Sequence, residues 1–332
     1  MMKVSILDQS PVSSHQTPAE ALEASMQLAK AGDKLGYERY WIAEHHDLSG
    51  LACSAPEVML GYIGAQTNRI RIGSGAVLLP HYKPYKVAET YNMLATLFPG
   101  RVDLGIGRAP GGSAEATNAL SDNFLQQVFK MPELVEELLQ FLDDKFPAEH
   151  EYAKLSASPL PPVSPEPWLL GTSKKSAELA ARNGMAYTFG QFMSEQDGSA
   201  IIDQYKQAFQ PRQSGNQPYA IVTVSVICAE TTEQAHRIAT SSLVWKIQQD
   251  KMEAKGVPSI EEAASYPLTE EEEKKMKKMK EAMIIGNPEE VHVRLQEVQA
   301  RYGADELMLV TITHDPADRL KSYELVAEKC KK

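Results

Sequence analysis

The chain has 332 residues, a formal net charge of −10, and 43% hydrophobic and 23% charged side chains. The acid excess argues against nucleic acid or an anionic membrane surface as a general partner, since both attract basic faces, and the composition argues against disorder throughout. Cys53, Cys228 and Cys330 are too few and too scattered for a disulfide framework or a zinc site, so a reducing compartment is expected.

The N-terminus lacks a signal-like apolar core. The most apolar stretch, residues 220–229, has about half the length a membrane-spanning helix needs. A cytoplasmic protein without membrane association is expected.

Apolar runs of strand length alternate with helical periodicity from the start. The first strand is expected at 4–8. Thr17 and Glu20 then form a capping-box pattern with Pro18 at the first helical position. Strands follow at 40–43, 69–79 and 101–107, with helices at 56–66, 85–97 and 134–142. A Pro/Ser-rich linker at 156–167 reads as separating two halves. Beyond it, strands are expected at 168–171, 186–190, 219–228 and 306–313, and helices at 173–183, 201–209 and 316–330. Eight strands with helices between most of them predict a parallel sheet. Closure gives a TIM (β/α)8 barrel, and a doubly wound open sheet is the rival.

One segment breaks the rhythm. Residues 230–305 hold far more chain than one connecting helix requires, so an extended insertion, 230–285, is expected between strands seven and eight of a single domain spanning 1–332. Within it, 269–283 reads as a charged helix with Met276, Met279 and Met283 on a narrow stripe. This is either a solvated helix with a thin seam or part of a lid, and the two are compatible.

Several motifs fall at expected strand ends. Glu44-His45-His46 follows strand two, and alternation lets only one of the two imidazoles face a barrel mouth. A capping or packing pair is the plainer reading. Gly73-Ser74-Gly75 interrupts strand three, as a bulge or as backbone packed against an aromatic ligand. Gly105 to Gly112 closes strand four but holds Pro110 where a dinucleotide fingerprint needs glycine, which disfavours a nicotinamide site. Arg108 remains a candidate anion clamp. Gly171-Thr172-Ser173-Lys174-Lys175-Ser176 joins strand five to a helix, as an ordinary N-cap or an anion site at a helix N-terminus. No metal-ligand spacing or nucleophile elbow is present.

These segments together resemble the bacterial-luciferase-like flavin-dependent monooxygenases, in particular their single-chain oxidoreductases. The resemblance runs from about residue 3 to 327. It is carried by ILDQSPV (6–12), YWIAEHH (40–46), IGSGAVLLP (72–80), AETYNMLATL (88–97), GRVDLGIGRAPG (100–111), WLLGTSKKS (168–176), IIGNPEEV (284–291) and GADELML (303–309), in the family's order.

The resemblance implies a bacterial TIM-barrel flavoprotein that binds FMN, as FMNH2 from a separate flavin reductase. Reaction with O2 at the flavin C4a carbon would give a hydroperoxide that oxygenates a small organic substrate. His45 takes the catalytic position. Ser74 and Gly75 take the place of a non-proline cis peptide beneath the flavin ring, and Arg108, Gly171, Thr172, Ser173 and Ser176 that of the phosphate contacts. A homodimer is the family expectation. A deazaflavin-dependent oxidoreductase and a non-catalytic flavin-binding protein are the alternatives.

Overall fold

A computed structural model describes residues 2–330. In chain order the first half runs β1 (Val4–Asp8), α1 (Pro18–Leu35), β2 (Arg39–Ile42), α2 (Pro56–Gln66), β3 (Arg71–Ser74), β4 (Val77–Leu78), α3 (Pro84–Leu97), β5 (Val102–Gly107), α4 (Ala114–Leu120), α5 (Phe124–Phe129) and α6 (Met131–Asp143). The second runs β6 (Glu166–Gly171), α7 (Lys174–Arg182), β7 (Ala186–Gly190), α8 (Ser199–Ala208), β8 (Ala220–Cys228), α9 (Thr232–Asp250), α10 (Ile260–Ser265), α11 (Glu270–Ala282), β9 (Ile284–Gly286), α12 (Pro288–Tyr302), β10 (Glu306–Val310) and α13 (Pro316–Cys330).

All named pairings are parallel, in the order β1-β2-β3-β5-β6-β7-β8-β10. The ring closes because β10 pairs with β1 (Ile6↔Leu309) and with β8 (Leu307↔Val222). The expected TIM barrel is therefore the fold, and the open sheet is excluded. β4 continues β3 beside β5, while β9 lies outside the ring as a short extension along β8.

Strand alternation sorts the side chains. Val4, Ile6, Tyr40, Ile42, Ile72, Leu104, Tyr187 and Leu307 join the main core with the helices. Leu7, Trp41, Trp168, Ile221, Met308 and Val310 form a separate cluster inside the barrel. Below them, toward the strands' N-terminal ends, the filling is ionic. Arg39 Nη1 donates to Asp103 Oδ2 at 3.0 Å and Arg39 Nε to Glu306 Oε2 at 3.2 Å. Arg71 reaches both Asp103 and Glu166, and Trp41 Nε1 donates to Asp103 Oδ2 at 2.9 Å. The barrel floor is a packed plug, which leaves the C-terminal end as the mouth.

Two expectations need correction. Strand three is not continuous over 69–79: β3 stops at Ser74 and β4 starts at Val77. Residues 156–167 do not divide the chain into halves. Ala157 O accepts from the buried Asn92 Nδ2 at 2.7 Å, and Glu166 and Pro167 already belong to β6. The insertion holds the helices α9, α10 and α11 and the short strand β9.

The insertion is docked. Thr269 and Glu272 form the expected capping box on α11. Met276, Met279 and Met283 pack against Ile227, Ala235, Ile238, Leu243 and Ile285. The connection from α9 to α10 then crosses to the rim. Val257 N donates to Val12 O at 2.9 Å, Ser14 N donates to Val257 O at 2.8 Å, and Ser14 Oγ donates to Glu262 Oε2 at 2.7 Å. No helix among the described residues is long and apolar enough to cross a membrane.

Candidate active site at the barrel mouth

Parallel strands bring all their C-terminal ends to one end of the barrel. β2, β3, β5 and β6 are consecutive in the ring, so the loops at 43–46, 75–76, 107–112 and 171–173 share one arc of its rim.

His45 is held through its backbone, whose N–H donates to Cys53 O at 2.9 Å. Its ring is partly exposed, yet Nδ1 is buried and has no hydrogen-bond partner among the described residues. Burial, and secondarily the neighbouring His46, pull its pKa down to about 4, so the imidazole is neutral at pH 7. Cys53 beside it is inert: burial pushes its thiol up to about 12.

His46 turns sideways, as alternation requires. Its Nε2 pairs with Glu44 Oε1 at 2.8 Å, and its backbone N–H donates to Gly111 O at 2.8 Å. Glu44 is buried and also accepts from Tyr82 Oη at 2.6 Å and from Leu78 N at 3.1 Å. One carboxylate thus ties the end of β2 to β4, to the segment before α3 and, through His46, to the loop after β5. Nearby, His81 Nε2 donates to Pro110 O at 2.9 Å. The strand-end motif names Glu44 without giving it a role; its signal is an acid beside two histidines.

The non-proline cis peptide lies at Gly75–Ala76, one bond later than the expected 74–75. Gly75 belongs to it and Ser74 does not. The Ser74 hydroxyl is buried and donates to Gly105 O at 2.9 Å, so it fastens β3 to β5. A Cβ on Gly105 would stand 2.1 Å from Ser74 O, and one on Gly75 would stand 2.5 Å from Leu7 Cδ1. The glycines therefore answer to close backbone packing.

Arg108 follows β5 and is exposed, and its guanidinium has no ion pair or hydrogen bond among the described residues. β5 and β6 are paired up to Ile106↔Leu169, so Arg108 and Gly171 both lie just beyond that pairing at the same end of the barrel. Ser173 is the N-cap of α7, accepting from Ser176 N at 3.3 Å, and Ser176 Oγ returns a bond to Ser173 O at 2.7 Å. Ser176 is buried and also meets Tyr187 Oη at 3.1 Å. It is therefore part of the cap's scaffold and does not face the mouth. A Cβ on Gly171 would stand 2.3 Å from Ser176 Oγ, so Gly171 makes room for that hydroxyl. The Thr172 hydroxyl is unengaged among the described residues, and the helix geometry leaves the amides of Lys174 and Lys175 without intrahelical acceptors. Together with Arg108 they form a donor set suited to a phosphate. The unpartnered His45 Nδ1 and this donor set fit a flavin mononucleotide. No group of three or more metal-ligating side chains is arranged for a metal ion among the described residues.

Comparison with known proteins identifies the family. The family model of the luciferase-like monooxygenases matches residues 2–306. The chain is 41% identical over 329 residues to the uncharacterized protein YwcH of Bacillus subtilis, covering 99% of both. It is 35% identical over 329 residues to the N-acetyl-S-alkylcysteine monooxygenase of the same organism, covering 99% of this chain and 98% of that one. Among solved structures, apo-MsnO8 superposes with a TM-score of 0.89 at 34% identity, covering 100% of this chain and 99% of that one. The chain belongs to the luciferase-like monooxygenase family.

Proposed function

We propose that this protein is an FMN-dependent monooxygenase that takes reduced FMN from a separate reductase and places one atom of O2 on a small organic substrate. The observation that carries the reading is the rim arc itself, with the unpaired His45 Nδ1 at one part and the Arg108–Thr172–α7 donor set at another. Bound reduced FMN supplies the two electrons that activate O2, one atom of which goes to the substrate and the other to water.

Arg108, the Thr172 and Ser173 hydroxyls and the first amides of α7 hold the phosphate. Ser176 and Gly171 shape the cap, and the Gly75–Ala76 peptide, pinned through Ser74, would be the backbone against which the flavin packs. The His45 imidazole, neutral at pH 7, would accept or hold a proton by hydrogen bonding beside a bound flavin. Glu44 positions His46 and the surrounding loops. The insertion from α9 to α11 serves as a lid whose rim contact runs through Val257. A second copy of the chain covers the exposed apolar face of α2 and α3.

The test is anaerobic titration with reduced FMN and, separately, with a reduced deazaflavin, followed by 18O2 and a substrate panel. N-acetyl-S-alkylcysteines belong in the panel because a relative carries that activity in its name. FMN binding with 18O in a product supports the proposal. Exclusive deazaflavin binding overturns it in favour of the deazaflavin reading. FMN binding without oxygenated product anywhere in the panel overturns it in favour of a flavin carrier.

A further inference from the structure

Trp245 on α9 is buried, yet its Nε1 has no hydrogen-bond partner among the described residues. The indole is therefore held by packing, and one thing it packs on is the loop after β2. A Cβ on Gly50 would stand 2.9 Å from Trp245 Nε1 and 3.2 Å from Gly256 Cα. Gly50, at φ +91°, thus lets the insertion come within contact of the loop that carries His45.

Gly50 also belongs to a small ribbon of backbone on the rim. Val12 N donates to Gly50 O at 2.8 Å, and Ala52 N donates to Ser10 O at 3.0 Å, with Pro11 and Leu51 bridged antiparallel. Val12 O accepts from Val257 N at 2.9 Å on the other edge, so residues 10–14 lie between the loop after β2 and the insertion. A Cβ on Gly256 would stand 2.9 Å from Val12 O. The inner end of the ribbon is fixed to the barrel, because Ser10 N donates at 2.8 Å to Asp8, which pairs with Arg319. The outer end is less secured. Residues 47–49 are exposed, and Asp47 Oδ2 accepts from Ser113 Oγ at 2.6 Å. The loop closes where His45 N donates to Cys53 O at 2.9 Å.

We propose that Trp245 is a positioning residue for His45. Seated on Gly50, its ring holds residues 46–53 against the ribbon, and the closing bond at Cys53 fixes the backbone from which the imidazole projects. Docking of the insertion and placement of the histidine are then one event. Its consequence for oxygenation rests on the flavin reading; the placement of His45 does not.

The test follows titration of the His45 imidazole by NMR in the full chain with labelled histidine and no flavin, the signal being assigned with His45→Gln. Burial and the neighbouring His46 hold that titration near pH 4, and a loosened loop admits water. Trp245→Ala and Gly50→Ala break the contact from its two sides, so each should raise the titration by about one pH unit or more. Trp245→Phe should titrate as the wild type does, because it keeps a packed ring and loses an N–H that has no partner. His292 on α12, which meets Cys330 on α13, reports any general loosening and should not move in these variants. A His45 titration unmoved by both Trp245→Ala and Gly50→Ala, one moved as far by Trp245→Phe, or one that His292 follows would overturn the proposal. Since no flavin is present, any of these results leaves the flavin reading intact, and failure of FMN to bind leaves this test decisive.

Discussion

His45 combines a free nitrogen with a depressed pKa, and both follow from its burial. A neutral imidazole at the mouth can accept or donate a hydrogen bond without bringing a charge into an apolar cleft. His45→Ala is expected to leave FMN affinity nearly unchanged while slowing oxygenation about 10²–10⁴-fold, the range for a lost acid–base group; full activity with an identified substrate would remove the assignment. The same residue sets an acid limb on stability. The unfolded chain takes up the proton near 6.5 and the folded one near 4. The neutral ring's contribution is therefore complete above about pH 6.5 and is lost as pH falls toward 4. Melting of the apoprotein between pH 7 and 4.5 should fall less steeply in His45→Gln than in the wild type. Arg108 offers a cleaner readout because no ion pair or hydrogen bond among the described residues competes for it. Arg108→Ala should weaken FMN binding by about 1–3 kcal/mol, the scale of a charge-assisted hydrogen bond, and unchanged fluorescence titration would take it out of the phosphate set.

Between elements, the barrel floor holds its ends together by charge. Arg39 on β2 reaches Asp103 on β5 and Glu306 on β10, and its guanidinium lies 4.5 Å from the centroid of the Trp168 ring on β6. Arg39→Met would keep the volume and take away the cation that the buried Glu306 pairs with, while Asp103 keeps Arg71 and Trp41. A loss of about 3–5 kcal/mol in urea unfolding is expected, as for a broken buried pair. A loss below about 1 kcal/mol, the scale of surface pairs, would mean that the network is effectively solvated. Elements with a buried face were readable in the sequence: β1, α2, β7 and α13 fall at the expected residues, because periodicity records burial. α4 and α5 bury no residue, so they left no periodic trace, and β9, at three residues, is too short to show one. Gly73-Ser74-Gly75 marked the break in β3, but only the packing of Gly75 on Leu7 locates it. The imidazole, the guanidinium and the helix cap were legible because each sits beside its own strand end. Glu44 was not, since Leu78 and Tyr82, the groups it joins, lie 34 and 38 residues away.

For the molecule as a whole, the outer surface is uneven. Val58 and Tyr62 lie one turn apart on α2, and Met93 and Leu97 one turn apart on α3, with exposures of 68, 48, 55 and 62%. The two helices are neighbours: a Cβ on Gly61 would meet Leu94 Cδ2 at 4.0 Å. Four large apolar side chains on adjacent helices form the kind of patch a soluble monomer seldom leaves bare. A two-fold pairing would let the same patch cover itself. Light scattering behind size exclusion should then give twice the chain mass of 36.7 kDa. The double variant Val58→Asp/Met93→Asp should run at the single-chain mass with an unchanged circular dichroism spectrum, because neither side chain reaches the core. Burial of this face in such a pair would also stiffen the helices that follow the loops of His45 and of the Gly75–Ala76 peptide. The separated variant should therefore show weaker FMN binding as well as halved mass. A wild type that is monomeric at micromolar concentration, or a double variant that stays dimeric, would place the contact elsewhere.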